Sequence, residues 1–131
     1  MGTATVETKS VSSLGTVLVA GNGRTLYLLT ADSAGKPTCT ASPCIGVWPP
    51  LLLPASATSP EAGAGATASL LGTATGAGGA TQVTYKGWPL YMYSGDSGPG
   101  QNNGEGISSF GGTWYAISPT GQPVKAGAGG Y

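Results

Sequence analysis

Two aspartates at matching places in a repeated segment are the first candidates for chemistry. The run Leu26-Tyr27-Leu28-Leu29-Thr30-Ala31-Asp32 returns 64 positions later as Leu90-Tyr91-Met92-Tyr93-Ser94-Gly95-Asp96. Two carboxylates that meet across a symmetry axis could serve as the acid and base of a glycosidase. Each aspartate, however, follows an apolar run and enters a turn, where Asp side chains accept hydrogen bonds from backbone amides. We favour this structural role and predict no catalytic residue.

Other reactive or metal-binding groups are scarce. The chain has no histidine, so neither a Ser-His-Asp nor a Cys-His nucleophile can be built. Asp96, Asn102, Asn103 and Glu105 could offer oxygen ligands to calcium, but their spacing is not that of a helix-loop-helix calcium loop. We therefore predict no metal and no cofactor, and a solvated loop around Asp96.

Cys39 and Cys44 are the two cysteines of the chain. Their spacing differs from a Cys-x-x-Cys redox motif, and the missing histidines and further thiols exclude a tetrahedral zinc site. We predict a disulfide that closes a small loop and contributes about 2 kcal/mol on the chain-entropy estimate. A disulfide favours an oxidising compartment; a reduced pair in a cytosolic protein is the alternative.

The aromatic residues are numerous for so short a chain, and most are expected in the core. Trp88 and Tyr93 are the expected exceptions, since the first lies at a turn and the second at a strand end. An exposed subset could stack on sugars or on a protein partner. The residues that we single out as the repeat motif are Tyr27, Asp32, Trp48, Trp88, Tyr91, Tyr93, Asp96 and Trp114.

These residues must be positioned by β-hairpins. Two β-favouring runs surround Gly21-Asn22-Gly23, and a second pair surrounds Lys86-Gly87; such turns favour the positive φ of tight hairpins. The return strand of each hairpin is predicted at 24–29 and at 88–93. In both return strands, apolar residues occupy both alternating faces, so we expect each strand to be covered on both sides.

No window has sustained helical periodicity, and the sequence predicts an all-β domain of about seven or eight short strands. We expect two tandem β repeats of three to four strands each, related by a pseudo-twofold axis in a sandwich or compact barrel. The predicted division is an N-terminal extension (1–13), a first repeat (14–53), a linker (54–68), a second repeat (69–121) and a Gly-rich tail (122–131).

Charge and hydropathy exclude several partners. Five basic and five acidic residues give zero net charge, which argues against nucleic-acid binding, because that requires clustered Lys and Arg. No stretch approaches the ~20 apolar residues of a transmembrane segment. No export signal is recognisable at the start of the chain, so an exported protein would be in its mature form.

Several of these segments resemble the bacterial secreted-repeat family, described as predicted lipoproteins with a Tyr-x-(Phe/Trp/Tyr)-x-x-Asp motif. The run from Tyr91 to Asp96 matches the motif fully, and the run from Tyr27 to Asp32 matches except for Leu29. The loop from Cys39 to Cys44 that leads into Trp48-Pro49-Pro50-Leu51, and the runs 83–91 and 111–115, are also similar. The resemblance covers residues 14–53 and 69–121. It implies export to the cell envelope, often with a lipid anchor, and it brings no catalytic residue.

We predict a non-enzymatic, exported cell-envelope β domain that acts outside the cell as a binding or scaffolding module. Its partner would be an envelope protein, a glycan or another copy of the chain. One alternative is a self-assembling structural subunit that adds strand to strand in a fibre or surface layer. The other is a carboxylate-based hydrolase.

Overall fold

The structure is a computed structural model that describes residues 5–11, 14–21, 23–32, 35–41, 43–53, 60–98 and 101–124. The fold is all-β, as predicted. Its strands are β1 (Thr5–Val11), β2 (Gly15–Ala20), β3 (Tyr27–Leu29), β4 (Glu61–Ala62), β5 (Leu71–Thr75), β6 (Thr81–Tyr85), β7 (Trp88–Pro89), β8 (Ser108–Ser109), β9 (Gly112–Ile117) and β10 (Pro123–Val124). A four-residue helix, α1 (Cys44–Val47), and two 3-10 turns (Ala68–Leu70 and Ala77–Gly79) complete the elements.

The strands form three sheets. One has the order β2-β1-β4, the second has the order β10-β9-β3 with β8 also on β9, and the third has the order β5-β6-β7. None of them closes on itself within the described residues, so the barrel alternative does not match the structure. The described residues contain ten strands, more than the predicted seven or eight, and four of them (β4, β7, β8 and β10) are only two residues long.

The core lies on both sides of the two return strands. Leu26, Leu28 and Leu90 belong to one buried apolar cluster. Tyr27 and Tyr91 belong to a second. This confirms that both faces of each return strand are covered, and the alternation of side chains along a strand explains it.

The predicted return strands are shorter in the structure, where β3 and β7 cover only part of them. The two runs meet at Tyr27 and Tyr91, which form an isolated antiparallel bridge. The Tyr27 N–H donates to the Tyr91 carbonyl at 2.8 Å, and the Tyr91 N–H donates back at 3.0 Å. Equivalent residues of the two repeats therefore pair with each other at this point.

In each repeat, the segment that contains the motif tryptophan (Trp48 or Trp114) pairs with the other repeat. In the second repeat, β9 pairs with β3 of the first and sets Trp114 opposite Leu29. In the first repeat, Val47 and Pro49 accept hydrogen bonds from the amides of Ser94 at 2.9 Å and Met92 at 2.7 Å. Because proline has no N–H, Pro49 and Pro50 can only accept, which accounts for the single bridge that Pro50 forms with Tyr91. The repeats are therefore interlocked rather than set side by side.

Three strands lie outside the repeat boundaries predicted from sequence, and one of them, β10, falls within the predicted tail and pairs with β9. β1 falls within the predicted extension, yet it forms a hairpin with β2. β4 falls within the predicted linker, yet it pairs with β1 in parallel. Residues 54–59 of the predicted linker and residues 125–131 of the predicted Gly-rich tail lie outside the described residues.

Candidate functional site

The repeat motif comes together at the centre of the molecule through two exchanged hydrogen bonds. The Tyr27 hydroxyl donates to Asp96 Oδ2 at 2.7 Å. The Tyr91 hydroxyl donates to Asp32 Oδ2 at 2.9 Å. Each tyrosine thus binds the aspartate of the other repeat.

The second oxygen of each carboxylate holds the loop that follows it. Asp32 Oδ1 accepts hydrogen bonds from the backbone N–H of Thr38 at 2.8 Å and from its hydroxyl at 2.7 Å. Asp96 Oδ1 accepts a hydrogen bond from the backbone N–H of Asn103 at 2.8 Å. These are the amide contacts that the turn interpretation of the two aspartates predicts. The repeat pattern did not predict that each carboxylate also accepts a hydrogen bond from a tyrosine of the other repeat.

Both aspartates lie in the interior, because only 5% of Asp32 and 1% of Asp96 is exposed. Burial raises the pKa of Tyr27 and of Tyr91 far above the usual range of tyrosine, and the neighbouring carboxylate adds to the increase. Burial also raises the pKa of Asp32, against the opposing effect of its hydrogen bonds from Thr38 and Tyr91. Both tyrosines therefore remain protonated donors at neutral pH.

The two tryptophans of the motif, one from each repeat, stack on each other. The rings of Trp48 and Trp114 are parallel within 1°, with centroids 3.9 Å apart. Tyr27 packs edge-on against Trp48 at 5.5 Å. Tyr91 packs edge-on against Trp114 at 5.0 Å. Shared aromatic rings and exchanged hydrogen bonds thus join the repeats at one place.

The two halves of this centre are not identical. Tyr93 lies 4.4 Å from Trp48, measured between ring centroids. The first repeat has Leu29 at the corresponding position, where it faces Trp114. Trp114 Nε1 donates to the Ser109 carbonyl at 3.2 Å, whereas Trp48 Nε1 is buried without a hydrogen-bond partner in the described part of the chain.

Exposure separates the motif residues into interior and surface positions. Tyr27, Trp48, Tyr91 and Trp114 are fully buried. Trp88 and Tyr93, the expected exceptions, are each partly exposed.

Sequence reasoning missed Phe110, which is 40% exposed. It lies at the tip of the β8–β9 hairpin with φ +53°. The run Phe110-Gly111-Gly112 was the available signal, since paired glycines mark a tight turn.

The oxygen atoms considered for calcium serve the chain itself. Asp96 uses both carboxylate oxygens for Asn103 and Tyr27. Glu105 Oε1 accepts the Ala116 N–H at 2.7 Å. Across the described residues, no group of three or more His, Cys, Asp or Glu side chains is gathered in a way that could hold a metal ion.

The predicted disulfide between Cys39 and Cys44 is confirmed, with a Cα–Cα distance of 5.5 Å. It closes the loop immediately before α1, and α1 leads directly into Trp48. The Cys39 sulfur lies 4.0 Å from the Trp48 carbonyl. The disulfide therefore supports the segment that presents Trp48 to the central stack.

Comparison with known protein families finds two copies of one repeat in the chain. A family profile described as a secreted repeat of unknown function matches residues 8–52 and 72–118. No curated protein and no solved structure matches the chain. Among the helices that the structure describes, none has the length and apolar character needed to cross a membrane. The two matched segments each carry one copy of the Tyr, Asp and Trp that meet at the centre, and the chain belongs to the family of secreted repeats of unknown function.

Proposed function

We propose that the protein is a non-enzymatic, exported module that binds a glycan of the bacterial envelope. The engagement of Asp32 and Asp96 supports the non-enzymatic part. Both carboxylates are buried, and each bonds a tyrosine through one oxygen and a loop through the other. A general acid or base must reach the substrate, and these two aspartates are directed at the interior.

Phe110 is the observation that carries the binding part. A bulky side chain at positive φ is sterically disfavoured, and such a position is a reason to look for a functional role. Gly111 follows at φ +90°, so the pair forms a tight tip from which the Phe110 ring projects. An aromatic ring presented in this way can stack on a sugar ring.

Co-sedimentation with insoluble peptidoglycan tests the binding. Phe110→Asn removes the ring, while asparagine tolerates the left-handed backbone, so the turn should be kept. We expect the variant to remain folded and to bind at least several-fold less. Leu52→Gln is the matched control, since Leu52 is 41% exposed and forms a bridge with Gln82 instead of belonging to the β8–β9 hairpin. Equal binding by the Phe110 variant, or no binding by the unaltered chain, contradicts the proposal.

A hydrolase screen tests the non-enzymatic part separately. We expect no turnover of glycoside, ester or peptide substrates by the full chain. Turnover that Asp96→Asn abolishes, with the near-ultraviolet circular dichroism unchanged, would overturn it.

A further inference from the structure

We propose that Asn103–Gly104 is a self-modification site, at which the backbone nitrogen of Gly104 displaces ammonia from the Asn103 side chain. The contacts around the hydrogen-bonded pair of Tyr27 and Asp96 hold this reaction off in the folded chain, and opening of that pair lets it proceed. The modification thus marks, irreversibly, a chain whose two repeats have separated at this point.

The reaction needs no partner other than water. The Gly104 nitrogen loses its proton and attacks Asn103 Cγ, so that a new N–Cγ bond closes a cyclic imide while the Cγ–Nδ2 bond breaks and ammonia leaves. Water then opens the imide at either carbonyl, which leaves aspartate or isoaspartate in place of asparagine. No atom is oxidised or reduced. Glycine favours the attack because it has no Cβ to obstruct the approach of its nitrogen.

Packing at the centre of the molecule explains why the residue after Asn103 is glycine. Gly104 is buried, whereas Asn103 is exposed. A Cβ at residue 104 would lie 2.7 Å from Trp48 Cη2 and 3.1 Å from Tyr27 Cζ. The need for a residue without a side chain beside the aromatic stack therefore places a labile Asn–Gly dipeptide at the contact between the repeats.

The attacking nitrogen is engaged in the folded chain. The Gly104 N–H donates to the Tyr27 hydroxyl at 3.2 Å in the buried interior. That hydroxyl in turn donates to Asp96 Oδ2 at 2.7 Å. The amide must leave this bond before it can lose its proton to a base in solvent, as it must before hydrogen exchange. The reaction therefore waits for local opening of the centre.

The side chain under attack is also restrained. Asn103 Nδ2 donates to the Gly95 carbonyl and to Gln101 Oε1, both at 3.2 Å. The Asn103 N–H donates to Asp96 Oδ1 at 2.8 Å. The consecutive amides of residues 103 and 104 are thus bound to Asp96 and to its tyrosine partner. These bonds restrict the rotation that brings Cγ to the Gly104 nitrogen.

The first repeat makes the equivalent contact without the reactive side chain. There the Thr38 N–H donates to Asp32 Oδ1 at 2.8 Å, and the Tyr91 hydroxyl donates to the other carboxylate oxygen. Threonine has no amide group to lose. The first repeat therefore supplies a matched control, because Tyr91→Phe removes the equivalent tyrosine–aspartate bond and leaves the bond between Tyr27 and Gly104 in place.

Conversion to isoaspartate prevents the centre from closing again. Isoaspartate adds a carbon to the backbone between the amides of residues 103 and 104. Those amides then no longer have the spacing that matches Asp96 Oδ1 and the Tyr27 hydroxyl, which bind them in the unmodified chain. The modification therefore acts in one direction.

Incubation of the full chain at mildly alkaline pH, followed by peptide mass spectrometry that separates asparagine, aspartate and isoaspartate, tests the proposal. We expect residue 103 to convert at least about tenfold more slowly in the folded chain than in urea, because the reaction waits for local opening. Asn22–Gly23 is the other Asn–Gly dipeptide of the chain and calibrates the rate in urea.

Three variants locate the protection. Tyr27→Phe should accelerate conversion of residue 103 several-fold in the folded chain and leave the rate in urea unchanged. Tyr91→Phe should accelerate it much less. Asn103→Thr, which introduces the residue type of the first repeat, should abolish the mass change in this peptide.

Equal rates at residue 103 in the folded and the urea-unfolded chain would contradict the proposal. This comparison needs no variant, so it holds even if Tyr27→Phe does not fold. Equal acceleration by Tyr27→Phe and Tyr91→Phe would attribute the protection to global stability instead of the bond to Gly104. If residue 103 remains asparagine in urea while Asn22 converts, the dipeptide is not reactive and the proposal is wrong.

Discussion

At the scale of single residues, the repeat motif joins the two halves of the molecule. Each tyrosine hydroxyl is bonded to a buried carboxylate of the other repeat. Removing one partner of a buried hydrogen bond leaves the other unsatisfied, which costs more than the bond itself contributes. The motif therefore stabilises the contact between repeats.

Tyr91→Phe removes one of these bonds and keeps the ring. We expect the free energy of unfolding to fall by roughly 1.5–3 kcal/mol, the range for hydrogen bonds to charged groups, as measured by urea denaturation. Tyr93→Phe is the matched control, since Tyr93 meets Tyr27 and Trp48 through its ring. Equal losses in the two variants would show that the Tyr91–Asp32 bond has no special weight.

Alkaline titration tests the ionisation of the same pair. Burial holds the pKa of Tyr27 and Tyr91 far above the usual value, and the adjacent carboxylate contributes. Unfolding releases both phenols to an ordinary pKa of about 10. The stability that these two tyrosines contribute is therefore fully present below pH ~10, the pKa of the unfolded phenols, and is lost as the pH rises above it.

We expect Tyr27 and Tyr91 to ionise only with unfolding, as followed by ultraviolet difference absorption. The double variant Tyr27→Phe/Tyr91→Phe should lose that late phase. Its persistence in the double variant would assign the late phase to other tyrosines.

At the scale of elements, Trp48 is positioned by the disulfide and α1, whereas Trp114 is positioned by a strand, β9. β9 carries Trp114 with ladder hydrogen bonds on both sides. The matching segment of the first repeat contains Pro49 and Pro50, which cannot donate such bonds. The Cys39–Cys44 loop supplies the missing restraint.

Replacing both cysteines by alanine tests this role. We expect a loss of about 2 kcal/mol in the free energy of unfolding from the chain-entropy effect. The circular dichroism of the stacked tryptophans should also weaken, because α1 would no longer be held beside Trp48. The unaltered protein under a reductant that opens the disulfide should behave like the variant, and an unchanged unfolding midpoint in both would contradict the interpretation.

The local sequence predicts where strands and turns lie, but it does not predict which strands pair, because the partners are far apart along the chain. Alternation assigned Leu28 and Tyr27 to opposite covered faces, and the turn residues located both hairpins. The pairing of Leu29 with Trp114 joins residues far apart in sequence, and period-2 patterning names a face but no neighbour. The helix α1 has four residues, too few for a helical period. β4 was missed because its two residues, Glu61 and Ala62, carry no strand signal.

At the scale of the whole molecule, the exchange of segments makes the two repeats one folding unit. β3 pairs with β9 from the second repeat, and Tyr91, just after β7, forms a bridge with Pro50 next to Trp48 of the first. Neither repeat buries its apolar faces without the other, as expected of a duplicated unit. We therefore expect a single cooperative unfolding transition, with the same midpoint by tryptophan fluorescence and by far-ultraviolet circular dichroism.

Cleaving the chain in the linker tests that interdependence most directly. Fragments 1–53 and 54–131 each contain a hairpin and a return strand, but each lacks the tryptophan segment that covers its return strand. We expect each fragment alone to lack the near-ultraviolet signal of the Trp48–Trp114 stack, and an equimolar mixture to regain it. The recovery should depend on concentration, because the covalent link that brings the halves together is gone. Tyr91→Phe in the second fragment should weaken the association, since its bond to Asp32 crosses between the fragments. If fragment 54–131 alone folds to a stable monomer, the repeats fold independently, and the pairing between them is not required for folding.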